Sequence, residues 1–577
     1  MLAPSSIRLL ESCKNICYRW RSTVAHLKYK TDLPLQSKTI GQLLEECAEK
    51  FSDRAAIIAR EQRRQLTFPE LLDEADRFAA GLRAIGLNYG DKVGIWAPNL
   101  IEWLIANVAC TRTGLPVVAL NPALQSREVE YCINKINVKC IICPAESKHY
   151  SFKSVLNQLL PDLEHADKWK LECSSLPSLE KVILISEDSL RGAFTYNDVM
   201  NMPDAQSVKS IRDYQKKVDI HSVMNIQFTS GTTGFPKAIP RTHFQTVNNS
   251  YFVGKRMMLN EKHHIFCWQV PNFHAFGLIV GTAGWHNGST IVYPSIHYSP
   301  EKSLESINKE RCTTLLGTPT MYVDLIREQS TRNEDISPDF ALTGGAIASP
   351  QLVKDMQSVL NVKTVQSLYG LTESLAAFFS LPGESPSEVY TTVGHIVEHT
   401  EAKVVDSNKK TVDFGVPGEL CLKGAAILDG YLGDDKKNEE SFDEEGWFYT
   451  GDQFVMFENG YGNIVGRIKD MIIRGGENIY PKEIEDFLRS HPNILEVHVV
   501  GIPHKRLGEE VCACIETKDG STISTEEVKI FCDKKLAYFK IPTMVRTMKD
   551  FPKTTSGKIQ KYKLVEQVVR EMNNNIV

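Results

Sequence analysis

Four hydroxyls, two glycines and a lysine are packed into Gln227 to Lys237, which reads QFTSGTTGFPK. Gly231 and Gly234 let the backbone approach an anion and turn its N–H groups inward. The hydroxyls of Thr229, Ser230, Thr232 and Thr233 can donate hydrogen bonds, and Lys237 adds a compact positive charge. That inventory suits a polyphosphate. The spacing is not that of a Walker A loop, G-x-x-x-x-G-K-[ST]: Pro236 lies five residues past Gly231, and Ala238 rather than a hydroxyl follows the lysine. A run rich in Ser, Thr and Gly is otherwise a plain surface loop. Here Asn225 to Phe228 reads as the end of a strand, where α/β folds gather ligands.

Other stretches repeat the design of a short apolar segment running into glycine. In ALTGGA (341–346) and QSLYGLTES (366–374), glycine removes the Cβ that would block a flat ring, and Tyr369 offers a face for stacking. Glu373 beside Thr372 is a hard oxygen ligand suited to Mg²⁺, although a Thr-Glu pair alone reads as a helix cap. WQVPNFHAFG (268–277) and TTLLGTPTMY (313–322) bring aromatics, His274 and glycine to strand ends, where they wall a pocket or pack a core. WFYTGD (447–452), GRIKDMIIRGGENIYPKEIE (466–485) and FPKTTSGK (551–558) complete the set. The last is a small hydroxylated loop ending in Lys558, and an exposed lysine is ordinarily a solubility group.

Taken together, TSGTTGFPK, YGLTE, YTGD, GRIKD and PKTTSGK resemble the signatures of the adenylate-forming superfamily, which includes acyl-CoA synthetases, luciferases and the adenylation domains of peptide synthetases. The resemblance runs from about residue 40 to the C-terminus. It implies ATP, coenzyme A and Mg²⁺ as cofactors and ligation of a carboxylic acid to a thiol through acyl-AMP, with medium-length acyl chains expected. Thr229, Ser230, Gly231, Thr232, Thr233, Gly234, Phe235, Pro236 and Lys237 would hold the phosphates. Gly344, Gly345, Ala346, Tyr369 and Gly370 would hold adenine, and Asp452 with Arg467 the ribose. Glu373 would carry the metal beside Thr372, His274 would border the acyl pocket, and Lys558 would be the catalytic lysine. Lys469 matches the family's hinge, and Arg474, Gly475, Gly476 and Glu477 would meet the pantetheine arm of coenzyme A. One departure is Ala238, where the family usually has glycine; it puts backbone conformation in doubt there, not the chemistry.

The elements around these motifs read as α/β, with parallel-rich sheets and crossover helices. GQLLEECAEKF and EADRFAAGLRAIGL read as amphipathic helices, KVGIWA and PVVAL as strands. Val93 to Leu120, broken by Asn99, Glu102 and Arg112, reads as buried strand and helix rather than a membrane span. Ser147 to Asp219 is polar and poorly patterned apart from KVILIS, and reads as a connecting insertion. With Lys469 as hinge, residues 31–469 are expected to form a large adenylation domain and 470–577 a small α/β lid. In the lid, Pro481 opens a helix, VHVVGI and VCACIE read as strands, and STEEVKIFCDKKL reads as a capped helix.

At 577 residues, 42% hydrophobic and 24% charged, the chain is long enough for more than one domain. Its 66 basic and 71 acidic residues give a net charge of −5, so no global basic field invites nucleic acid. The 14 cysteines are scattered, and the one close pair, Cys140 and Cys143, sits in the apolar run VKCIICP, which reads as a buried strand rather than a redox or metal motif. Residues 1–30 carry Arg8, Lys14, Arg19, Arg21, Lys28 and Lys30 against the single acid Glu11. This acid-poor amphipathic stretch reads as a mitochondrial transit peptide. The alternatives separate on observables: a luciferase emits light with oxygen, a peptide-synthetase module continues into a carrier domain that the few residues after Lys558 do not supply, and a non-catalytic nucleotide binder would lack Lys558, Glu373 or Asp452, all of which are present.

Overall fold

The computed structural model describes residues 23–574 except 149, 230–235, 346–347, 385–390, 475–476, 505–506, 534, 537 and 555–557, with backbone alone for 477–478 and 573–574. The fold is mixed α/β, built on four sheets.

Two sheets are parallel-rich, as the strand–helix alternation predicts. The seven-stranded sheet centres on Lys92–Trp96, flanked by Val117–Leu120 and Val138–Pro144, and all of its pairings are parallel except the last, where Lys237–Thr242 folds back on Val223–Thr229. The nine-stranded sheet runs parallel from Thr364–Leu371 through Phe340–Gly344, Thr314–Gly317, Ile265–Trp268 and Thr290–Tyr293 to Ala55–Ala59, with antiparallel edges. The glycine-bearing motifs therefore follow the carboxyl ends of neighbouring strands, the general ligand position in open α/β sheets.

The helix Ile101–Thr113 is buried on nearly every side, which is why its sequence carries no amphipathic stripe. Its one cation is answered internally. Arg112 is paired with Asp76, bonds Glu45 at 2.9 Å and the Gly41 carbonyl at 3.3 Å, and also reaches Gln215, stitching four helices together. Cys140 and Cys143 lie fully buried in Val138–Pro144, where burial pushes both thiols up.

The third sheet is antiparallel and contains Phe448–Met456 and Gly462–Arg467. Its edge strand is His26–Lys28, paired with Thr400–Val405. The expected leader boundary at residue 30 falls just past this strand, whose backbone pairs residues 26–28 with the sheet. Residues 1–22 lie outside the described residues. The segment 147–219 also differs from expectation, because it contains the helices Phe152–Leu159, Tyr196–Asn201 and Ala205–Gln215 and supplies Lys181–Ile185 and Phe194–Thr195 to the seven-stranded sheet.

The fourth sheet pairs Ile494–His504 with Gly508–Thr517, and Met544–Thr547 joins in parallel. Helices Pro481–Leu488 and Thr525–Cys532 begin where proline and the Ser524/Glu527 capping box predict. Lys469 lies exposed in the single turn Ile468–Asp470 that joins this sheet to the preceding one. No helix among the described residues is long and apolar enough to cross a membrane.

Candidate active site

The strands Val223–Thr229 and Lys237–Thr242 pair antiparallel, with Thr229 opposite Lys237 at the two ends of the stretch expected to hold polyphosphate. Residues Ser230, Gly231, Thr232, Thr233, Gly234 and Phe235 fall outside the described residues; Thr229, Pro236 and Lys237 frame them. Ala238 pairs with Phe228 as ordinary buried strand, and its carbonyl accepts from the Leu432 N–H at 3.0 Å, so no glycine is required there. The Lys237 ammonium sits 4.9 Å from the Tyr431 ring centroid. Burial first, then Lys437, lowers its pKa.

Glu373 stands in the tight turn between Thr364–Leu371 and Leu375–Phe379, not at a helix cap. The turn is strained: Leu375 has φ of 55°, and a Cβ on Gly370 would lie 1.8 Å from the Leu375 carbonyl oxygen. Such strain persists only where surrounding contacts over-determine it. Here the Glu373 carbonyl accepts from the Leu428 N–H at 2.9 Å, and its carboxylate accepts from the Tyr431 hydroxyl at 3.1 Å. Tyr431 is in turn held through its backbone by Asn438, at 2.7 and 3.1 Å. One aromatic ring therefore connects the phosphate-loop lysine to Glu373.

Asp452 and Arg467 are cross-strand partners, with Nε 3.0 Å from Oδ1. Asp452 is buried and also accepts from the Tyr369 hydroxyl at 2.8 Å. Its negative charge, working against burial, holds the Arg467 guanidinium above its usual range. Tyr369 is only 6% exposed and packs against Phe378 and Phe454. It orients Asp452 more than it offers an open stacking face. Gly344 ends its strand buried, and Gly345 follows with φ of 80°; Ala346 lies outside the described residues.

Lys558 enters from the opposite side. Its loop is closed by Thr554, whose N–H donates to the Lys558 carbonyl at 2.7 Å and whose hydroxyl accepts from the Lys558 N–H at 3.0 Å. The residue is exposed overall, yet protein surrounds its ammonium end. Burial lowers its pKa first, Arg467 adds to that, and Asp452 and Glu373 oppose it. Its Cε lies 3.6 Å from where a Cβ on Gly345 would sit. His274 faces the same space; burial and then Lys558 hold its imidazole down to about 3, and its Nδ1 accepts from the Phe276 N–H at 3.2 Å as a helix cap. Lys558 thus lies beside Gly345 and within electrostatic reach of Glu373, Asp452, Arg467 and His274.

Among the expected thiol-side residues only the Arg474 side chain is described. Arg474 is ion-paired with Glu510, with Nη2 donating at 3.2 Å. Gly475 and Gly476 lie outside the described residues, and for Glu477 only the backbone is described. Sequence reasoning missed Tyr431 and Asn438. The available signal was an aromatic in the glycine-punctuated run DGYLGDD, too common a pattern to single out.

The arrangement has counterparts. Residues 44–432 match the family described as AMP-binding enzyme, residues 483–558 match the AMP-binding enzyme C-terminal domain, and the chain belongs to this family. It is similar to the mitochondrial medium-chain acyl-CoA ligase ACSF2 of Danio rerio, 38% identical over 95% of this chain and 91% of that protein. The protein of the same name from Homo sapiens is 39% identical over 93% and 89%. Among solved structures, ATP-bound MatB from Rhodopseudomonas palustris is 25% identical with a TM-score of 0.75, covering 92% of this chain and 99% of that one.

Proposed function

We propose that this protein is an ATP-dependent acid–thiol ligase that joins a carboxylic acid to coenzyme A through an acyl-AMP intermediate, releasing pyrophosphate and then AMP. The observation that supports the reading is the setting of Lys558, which lies beside Gly345 and within electrostatic reach of Glu373, Asp452 and Arg467. In the first half-reaction the carboxylate attacks the α-phosphorus. Such a transfer asks the protein mainly for positioning and charge neutralisation. Thr229 to Lys237 would hold the polyphosphate, Asp452 and Arg467 the ribose hydroxyls, Gly344 to Ala346 and Gly370 the adenine, and Lys558 the charge that develops between carboxylate and α-phosphate. Thr372 and His274 flank the reacting centre.

Mg²⁺ fits as a companion of ATP. No group of three His, Cys, Asp or Glu side chains that could hold an ion occurs among the described residues, and Glu373 offers a single carboxylate steadied by Tyr431. One carboxylate plus substrate phosphates is a common way of binding Mg²⁺. The ion would neutralise phosphate charge.

For the second half-reaction the lid, residues 470–577, would rotate about Lys469, withdraw Lys558 and turn Arg474 to Glu477 toward coenzyme A. The names of the similar proteins support a medium-chain fatty acid as substrate and a mitochondrial location. Each buried CH₂ contributes about 0.8 kcal/mol, so kcat/KM should climb with chain length until the pocket floor is met. Pyrophosphate release against carboxylates from acetate to palmitate tests this. A maximum at intermediate length supports it, and a maximum at acetate or an aromatic acid contradicts the substrate assignment.

A further inference from the structure

Arg241 lies four residues beyond Lys237 on the same strand, and its side chain is fully buried. Removing a guanidinium from water is costly unless its charge is answered. Arg241 forms no ion pair with a carboxylate among the described residues. Two main-chain carbonyls answer it instead: Nη1 donates to Ala426 at 2.9 Å and Nη2 donates to Thr372, while Nε has no acceptor among the described residues. Burial draws its pKa down to about 10, against the pull of Glu373, Asp429 and Tyr431, so it stays charged at neutral pH.

Both carbonyls belong to segments that build the Glu373 corner. Thr372 precedes Glu373 in the strained turn. Ala426 opens the run that supplies Leu428, whose N–H bonds the Glu373 carbonyl, and Tyr431, whose hydroxyl bonds its carboxylate. Gln245, on the helix after the Arg241 strand, donates to the Ile427 carbonyl of the same run at 2.9 Å. Among the described residues Arg241 is thus the one side chain that bonds both segments from the strand carrying Lys237.

We propose that Arg241 is a positioning residue for acyl-adenylate formation, clamping the Thr372–Glu373 turn to the Ala426–Tyr431 run so that Glu373 and Tyr431 face the triphosphate. The proposal rests on the ligase reading above. A methionine could fill the volume but would hold neither carbonyl, whereas lysine keeps the charge and can reach one.

The test uses the full chain with Arg241→Met and Arg241→Lys. Three quantities are read: ATP affinity by equilibrium binding with and without Mg²⁺, KM and kcat for pyrophosphate release, and thioester formation from preformed acyl-AMP and coenzyme A. Arg241→Met is expected to weaken Mg-ATP binding and raise the KM for ATP about 10- to 100-fold, the scale of a lost hydrogen bond to a charged group. The KM for the carboxylate and the second half-reaction should change less than about 3-fold, and Arg241→Lys should recover part of the loss. Unchanged ATP binding in a folded Arg241→Met protein overturns the proposal, as does loss of both half-reactions in proportion to the unfolded fraction. Should Arg241→Met not fold, Arg241→Lys decides by the same ATP-specific split. A wild type that binds ATP but releases no pyrophosphate with any acid defeats the ligase reading instead, and the binding measurements still decide the role of Arg241.

Discussion

Lys558 lies across Gly345, its Cε 3.6 Å from the position a β-carbon on that glycine would take. Gly345 follows the strand Phe340–Gly344 and Lys558 stands in the loop before the C-terminal helix, in motifs more than two hundred positions apart. Gly345 also has φ of 80°, which a side chain resists. Gly345→Val is therefore expected to cost about 1 to 3 kcal/mol of stability through backbone strain and to push against the lysine. Thermal unfolding checks the first part. Pyrophosphate release, falling further than thioester formation from acyl-AMP, checks the second.

His274 is expected to act only as a neutral group. Burial, then Lys558, keeps its pKa near about 3, so between pH 6 and 8 it does not change charge. The pH profile of adenylation should keep its shape in His274→Asn, which also preserves a helix-capping side chain. For stability the sign is the following: the unfolded histidine takes up a proton below its ordinary pKa and the folded one does not, so this group lowers stability as pH falls from about 6.5 toward 3. Acid unfolding of His274→Asn should lose that part of the slope, and an unaltered slope would count against burial of the ring.

Glu485, on the helix Pro481–Leu488, ties the start of the helix Lys561–Asn574, three residues past Lys558, to the strand Ile494–His504. Its carboxylate accepts from Lys561 at 2.7 Å and from the Val499 N–H at 2.8 Å. Burial pushes its pKa up, but Lys561, His498 and Arg489 together bring it down to about 2. Its contribution is present above the ordinary carboxylate pKa and disappears as pH falls from about 4.5 toward 2. Glu485→Gln leaves Lys561 without its charge partner and should cost about 3 kcal/mol at neutral pH, the scale for breaking a buried ion pair. Denaturation of the variant at pH 7 and at pH 3 should show the difference narrowing in acid.

Much of the site was legible because its motifs are contiguous: TSGTTGFPK, YGLTE, YTGD and PKTTSGK each bring several chemistry-bearing residues together within ten positions. What escaped is non-local. Tyr431 reaches Glu373 across 58 positions and Arg241 reaches Thr372 across 131, and neither neighbour can be read from local pattern. The fold behaved similarly. The apolar strand Val138–Pro144 stands where VKCIICP was read, whereas the helix read from EADRFAAGLRAIGL (74–87) spans Phe68–Ala84, beginning six residues earlier at a Thr67/Glu70 capping box. Segment 147–219 looked structureless because its elements are short and edge-placed, although Thr195 and Asp198 form a capping box that announces a helix start. The strand at His26–Lys28 went unread because its partner lies some 375 positions away.

That pairing refines the expected processing. If the basic N-terminal stretch is a mitochondrial transit peptide, cleavage should fall before His26, since removing residues 26–28 would strip an edge strand from the antiparallel sheet. Mass spectrometry of the mature protein checks this. An intact N-terminus on a cytosolic protein would remove the leader from the account.

Lys558 is expected to serve adenylation and not thioester formation. Pyrophosphate release and acyl-CoA production from synthetic acyl-AMP, measured separately for Lys558→Ala, test it most directly. The account predicts a fall of about 10²- to 10³-fold in the first, about 3 to 4 kcal/mol of transition-state stabilisation, with the second largely preserved. Equal losses in both half-reactions, in a variant folded by circular dichroism, would contradict it.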